Sequence, residues 1–180
     1  AAASITATTG TYELSLDTDS EVTMTVDQHE GADAINATGT ADQITFSAAG
    51  GATTINAEAS IETYVLAGLA TETNTIVVNS GNTSVDITGA DSDDTVDVNG
   101  LTVDGNYALG AGVNTVSLDD GANIAAANIT TSGTGTYGLS LDTDAAVTMT
   151  VAQHEDADAI NAAGTADQIT FSAAGGATTI

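Results

Sequence analysis

Residues 10–55, GTYELSLDTDSEVTMTVDQHEGADAINATGTADQITFSAAGGATTI, return without a gap as residues 135–180. The offset is 135 − 10 = 125 residues. The copies differ only at Glu13/Gly138, Ser20/Ala145, Glu21/Ala146, Asp27/Ala152, Gly31/Asp156 and Thr38/Ala163. A long period held this strictly marks an array, in which one physical unit is used many times. It suits a fibre, stalk or coat better than a solitary active site. Residues 1–124 read as one super-repeat and 125–180 as the start of the next. After GGATTI the first copy runs on into NAEAS while the second stops, so the chain is expected to be a stretch of a longer repetitive protein.

A shorter beat runs inside the long one. Runs such as VTMTV, QITFS, TNTIVVN, DTVDVNG and NTVSL alternate apolar and polar residues and are rich in β-branched side chains, as strands are. Gly, Asn and Asp separate them. Apolar centres fall near Ile35, Ile44, Ile55, Val65, Ile76, Ile87, Val96, Tyr107 and Val116, and again near Met149, Ile160, Ile169 and Ile180. Pairs of steps sum to about twenty residues, which predicts a flattened parallel β-solenoid with two short strands per coil and about six coils per super-repeat. No apolar stripe of helical period persists. Tandem Ig-like β-sandwich modules are the alternative fold. The chain has no Trp, four Tyr and two Phe, which suits a thin aliphatic core better than a sandwich.

Charge narrows the function. The chain has no Lys, Arg, Cys or Pro and a formal charge of −25. Phosphate recognition needs Lys and Arg, so nucleic acid is excluded as a partner. No apolar run is long enough to span a bilayer, so no membrane insertion is expected. Carboxylates stacked about 4.8 Å apart repel by roughly 0.9 kcal/mol even in bulk water. An acidic array must therefore sit in salt, bind cations or space its acids out. High charge with few aromatics also raises disorder as a reading; the many alternating Val, Ile and Leu argue against it.

The segment Gly110-Ala111-Gly112-Val113-Asn114-Thr115-Val116 follows the G-x-G-x-[DN]-x-[LV] part of the RTX nonapeptide, and ADSDDTVDV from Ala90 and TETNTIVV from Thr71 follow it more loosely. The chain thus resembles RTX-like β-rolls and the repetitive regions of giant secreted bacterial surface proteins, of S-layer, adhesin or filament type. That resemblance implies an extracellular or cell-surface location and calcium held in Gly- and Asp-rich turns.

Calcium takes six to eight oxygen ligands, from carboxylates, carbonyls and water. The Asp clusters that could supply them are Asp17 and Asp19, Asp91, Asp93 and Asp94, Asp119 and Asp120, and Asp142 and Asp144. Aspartate also favours turns for backbone reasons alone. His29 and His154 recur in QHE, but no second His stands at metal-ligand spacing, and a turn or surface position is expected for them. No nucleophile elbow and no Cys or Lys is present, so no enzyme is expected. The steps Thr23-Met24-Thr25 and Thr148-Met149-Thr150 do not recur on every coil, which argues against an ice-binding ladder. Asn36, Asn82 and Asn128 open N-x-[ST] sequons that would accept glycans.

These features predict a structural protein, an acidic β-rich filament, sheath or surface coat whose partners are copies of itself joined head to tail. The stalk of a calcium-dependent secreted adhesin is the second reading. The secretion domain of an exported enzyme is the third, disfavoured by the lack of intact GGxGxDxUx coils.

Overall fold

The computed structural model describes residues 12–48, 54–66, 69, 71 and 73–172. Among the described residues, sixteen short strands and two single-turn helices follow one another. One six-stranded parallel sheet holds β2 (Glu21–Thr25), β4 (Gln43–Ala48), β6 (Thr63–Val65), β8 (Asp86–Thr88), β10 (Asn106–Leu109) and β12 (Asn128–Thr131). The other holds β5 (Thr54–Asn56), β7 (Asn74–Val77), β9 (Asp94–Asp97), β11 (Val113–Leu118), β13 (Thr136–Leu141) and β15 (Ala159–Ala162). Two parallel pairs complete the set: β1 (Glu13–Ser15) with β3 (Ala34–Asn36), and β14 (Ala146–Met149) with β16 (Gln168–Phe171). Strands of one sheet are a full coil apart in sequence, and the central coils, from β4 and β5 to β11 and β12, contribute to both. The fold is a β-solenoid of about seven turns with about 21 residues per turn.

Alternation creates the core. In β11 and β13 every second residue is buried. Register places like on like: Ile55, Ile76, Val96, Val116, Leu139 and Ile160 stack on one side, and Val22, Ile44, Tyr64, Ile87, Tyr107 and Ile129 on the other. Both rows enter one apolar cluster. One predicted centre is displaced by a residue. Tyr64, not Val65, points inward; Val65 is half-buried. A slip of one residue exchanges the faces of a strand, and TYV contains two residues that suit a core. Ile180 lies outside the described residues.

Two features depart from a two-line stack. A third line forms where the connections between the sheets lengthen, through the parallel bridges Thr102↔Asn123 and Asn123↔Thr148. The counterpart of β2 in the second copy, β14, joins this line rather than the sheet of β2: Thr148 N donates to Ala122 O (2.8 Å) and Ile124 N to Thr148 O (2.9 Å). Helices α1 (Val26–Glu30) and α2 (Val151–Asp156) are the other departure. Each is started by a capping box, Thr25 with Gln28 and Thr150 with Gln153, which satisfies orphan amides at a helix start reciprocally. In α2, Gln153 Nε2 also donates to Ile124 O (2.6 Å) and Ala127 O (2.9 Å) of the preceding coil.

Candidate functional site

The repeated turn between β1 and β2 contains the most developed polar arrangement. Asp19 adopts a left-handed backbone, φ 55°, which Asp tolerates better than most residues. Its Oδ1 accepts from Thr40 N of the next coil at 2.9 Å. Asp42 of that next coil answers: Oδ1 accepts from Ser20 N (2.6 Å) and Oδ2 from Gly39 N (2.8 Å). The Asp42 side chain is fully buried, and its own amide donates to Glu62 Oε2 one coil further on, at 2.9 Å. Gly39 is obligatory here, because a Cβ would lie 2.4 Å from Asp19 N. The second copy rebuilds the latch. Asp144, φ 58°, accepts from Thr165 N and Ala166 N (both 3.0 Å), and Asp167 accepts from Ala145 N (2.9 Å) and Gly164 N (2.8 Å).

The remaining nominated aspartates divide by role. Asp94 is buried and lies between Asn74 and Asn114, one coil away on either side. Asp94 N donates to Asn114 Oδ1 (3.0 Å), and its carboxylate accepts from Ala90 N (3.0 Å), Asn74 Nδ2 (3.3 Å) and Ser92 Oγ (3.3 Å). These three residues occupy the [DN] position of the nonapeptide-like segments, and here they form an internal ladder. Burial pushes the Asp94 carboxyl above its ordinary pKa, and those hydrogen bonds oppose the shift. Asp93 Oδ1 accepts from Val113 N (2.7 Å) and Asp120 Oδ1 from Ala146 N (3.0 Å), both on the following coil. Asp17 is exposed, and its carbonyl accepts from Ser20 Oγ (2.7 Å). Asp91 is exposed beside a groove of about 340 Å³ lined by Gly89, Leu109, Gly110 and Thr131 among others. Asp119 stands near Asp97 and Asp142; burial first, and then those two charges, raise its pKa.

So the structure brings Asp97, Asp119 and Asp142 near one another and gives most of the others a backbone amide on a neighbouring coil. Among the described residues, no three His, Cys, Asp or Glu side chains are grouped so as to hold a metal ion.

His29 is a correction to the expected turn or surface position: it is buried. Its Nδ1 lies 2.9 Å from Glu30 Oε1 and its Nε2 3.2 Å from the Tyr64 hydroxyl, which also accepts from Glu58 N at 2.7 Å. Phe46 and Tyr64 meet its ring edge to face. Glu30 further accepts from Asn56 N (2.8 Å) and Nδ2 (2.7 Å). Burial alone would raise the Glu30 pKa, but the hydrogen bonds from His29 and Asn56 outweigh it and hold it low. The partners of His29 are up to 35 residues away, so no local signal revealed them. His154, in the second copy, is half-buried against Phe171. Asp42 was missed as well; its only local sign was the repeated Gly-x-x-Asp of GTAD.

Chemically, what these carboxylates do in the structure is accept hydrogen bonds from amides of the same and neighbouring coils. Among the described residues, no helix is long and apolar enough to cross a membrane. No protein-family model, no curated protein and no solved structure matches the chain.

Proposed function

We propose that the chain is a structural element of an extracellular filament, sheath or surface coat, built by stacking coil upon coil and carrying no catalysis. One observation carries this reading. The second copy does not begin a separate module; its first strand, β13, pairs in parallel with β11 along six residues, from Val113↔Thr136 to Leu118↔Leu141. A super-repeat that continues the stack of the previous one adds length and no new kind of surface. At about 4.8 Å per coil, six coils advance the axis by about 29 Å. The carboxylate-to-amide latches recur with the period and tie each coil to the next.

The crowding of Asp119 with Asp97 and Asp142 favours a second reading, the stalk of a calcium-dependent adhesin, in which cations relieve that repulsion. Electron microscopy and fibre diffraction of the native material, with calcium and then with EGTA, test both. The filament reading expects a meridional spacing of about 4.8 Å and a layer line near 29 Å that survive chelation. Loss of the fibre in EGTA supports the calcium-held stalk. Isolated beads of domain size refute stacking altogether.

A further inference from the structure

The two copies of the duplicated segment lie on different lines of the solenoid. In the first copy β2 and β4 belong to the sheet that ends at β12. Their counterparts β14 and β16 lie on the third line, where Thr148 bridges Asn123. The pair β1 and β3 in turn continues into that third line. Ser60 Oγ donates to Ile35 O (2.8 Å) and accepts from Ala37 N (3.3 Å). Asn82 Nδ2 then donates to Ile61 O (2.8 Å) and Asp104 N to Thr83 O (3.1 Å), and the bridge Thr102↔Asn123 follows. The counterparts of β1 and β3, β13 and β15, belong instead to the sheet of β5.

The helices shift in the same sense. Glu30 of α1 accepts from Asn56 N (2.8 Å) of β5, the first strand of its sheet. Helix α2 follows β14 and precedes β15, the place that β12 holds one coil earlier, and Gln153 reaches Ile124 O and Ala127 O just ahead of β12. The same helix therefore closes one six-stranded sheet and opens the next. The chain winds from the third line at Thr102 to β10 and then to β11. Every element of the second copy sits one line earlier in that order than its counterpart in the first. Five steps within one sheet lead from β2 to β12. From β12 the chain passes β13 and meets the third line at β14, two lines of three further on. The 125-residue period thus spans five and two-thirds coils, where the beat of the sequence suggested about six.

We propose that the super-repeat is a screw unit: each copy is turned by one third of the circuit relative to the copy before it, and the three lines exchange roles in succession. The inference rests on the filament reading and specifies its symmetry. Three super-repeats make seventeen coils and restore the first orientation. At about 4.8 Å per coil, each super-repeat rises by about 27 Å, in place of the 29 Å of six whole coils, and the full period is about 82 Å. Each side of the fibre then carries a given set of residues once in three super-repeats. No sheet runs on past its six strands, so fibres lying side by side meet no continuous flat seam.

The chain has no cysteine, so double variants of the full chain report single pairs of positions. Asn123→Cys with Thr148→Cys sets both thiols on the third line; neighbouring parallel strands are about 4.8 Å apart, within disulfide reach. Thr130→Cys with Thr148→Cys tests the whole-coil alternative, in which β14 would lie on β12 and extend the sheet of β2. Thr23→Cys with Thr45→Cys, paired in the first copy, is the control. The proposal expects the first pair and the control to close under mild oxidation and the Thr130 pair to stay reduced. Closure of the Thr130 pair in place of the Asn123 pair overturns it. Reconstruction of the native material by electron microscopy reads the array. A rise of about 27 Å with a third of a turn per super-repeat is expected. Fibres whose super-repeats superpose without rotation, at about 29 Å, overturn the screw and leave the filament reading standing. Native material that forms no fibre, together with closure of the Asn123 pair, removes the filament reading and supports the turn between copies.

Discussion

Replacing Asp42 should loosen the first latch while leaving the second intact. The buried carboxylate accepts Ser20 N at 2.6 Å and Gly39 N at 2.8 Å. A hydrogen bond to a charged acceptor contributes about 1.5–3 kcal/mol, and an amide left unpaired in a buried place costs a similar amount. Ser20 and Gly39 are half-buried, so water partly replaces the lost acceptor. For Asp42→Ala the lower end of the range for each of two bonds gives about 3 kcal/mol, or about 150-fold in the local opening equilibrium. Asp42→Asn is not conservative: its carboxamide can accept from one amide but turns an NH2 group toward the other, so about half of that loss is expected. Solenoids open locally and need not unfold in two states, so the assay is hydrogen exchange by mass spectrometry. Pepsin digestion is needed, since trypsin has no site. Peptides across residues 17–43 should lose protection, while those across 142–168, which contain the intact Asp167 latch, should not. The difference Ser20/Ala145 distinguishes the two by mass. Asp17→Ala, at an exposed turn, should change nothing measurable. Equal effects from Asp17→Ala and Asp42→Ala, or full protection in Asp42→Asn, would refute the latch.

Three further outcomes follow from particular contacts. Tyr64→Phe should destabilise by about 1–2 kcal/mol, because the hydroxyl serves both Glu58 N and His29, whereas Tyr107→Phe should be neutral or stabilising, since the Tyr107 hydroxyl is buried without a hydrogen-bond partner; paired thermal melts decide. Gly110→Ala should disrupt the stack by several kcal/mol, because a Cβ there would lie 1.6 Å from Ala90 O; loss of β-sheet circular dichroism reads it. The raised pKa of Asp94 means that the folded chain holds this proton more tightly than the unfolded one, so its contribution to stability is full below the ordinary Asp pKa and is lost as pH rises through the raised value. Asp94→Asn, which keeps a neutral ladder residue, should therefore gain stability relative to wild type at neutral pH and lose that advantage in acid. A denaturation difference that is flat from pH 3 to 7 would count against it.

The coil was legible because its signal is periodic. Ile44, Ile55, Ile76, Ile87, Val96, Tyr107 and Val116 all occupy inward strand positions at the expected beat. Phase was less secure than period, as Tyr64 and Val65 show: adjacent residues of similar β-propensity leave the inward one undecided until a neighbouring strand chooses. The two helices were hidden for a different reason. Five or six residues cannot display a 3.6-residue stripe, and only the capping pairs Thr25–Gln28 and Thr150–Gln153 marked them. The polar partnerships were the least legible. Asp19, Asp42 and His29 find their partners 21 to 35 residues away, and a turn aspartate with a partner on the next coil looks, in sequence, like one without.

The absence of cations is reconciled with close stacking by register. Wherever a carboxylate stands in a strand pair among the described residues, it faces an uncharged residue: Glu13 faces Ala34, Glu21 faces Gln43, Asp86 faces Thr63, Asp94 faces Asn74, and Asp97 faces Val77 and Ser117. Two carboxylates facing each other at strand spacing would repel by about 0.9 kcal/mol in bulk water and about 3.5 kcal/mol at the effective dielectric near a protein surface. A dozen such pairs would exceed the stability of an ordinary domain. Spacing the acids out along the paired strands avoids that cost, Asp119 with Asp97 and Asp142 being the crowded exception, and aiming them at amides of the adjacent coil turns them into cross-links: Asp86 to Asn106 N, Asp93 to Val113 N, Asp120 to Ala146 N. The amide supplies the positive end of a dipole where other proteins place Lys or Arg. A lysine ties whatever acid comes within reach; a backbone amide is available only at the correct register. Acidity without cations thus acts as a device for register, and a chain that stacks the same coils many times depends on register more than on any single contact.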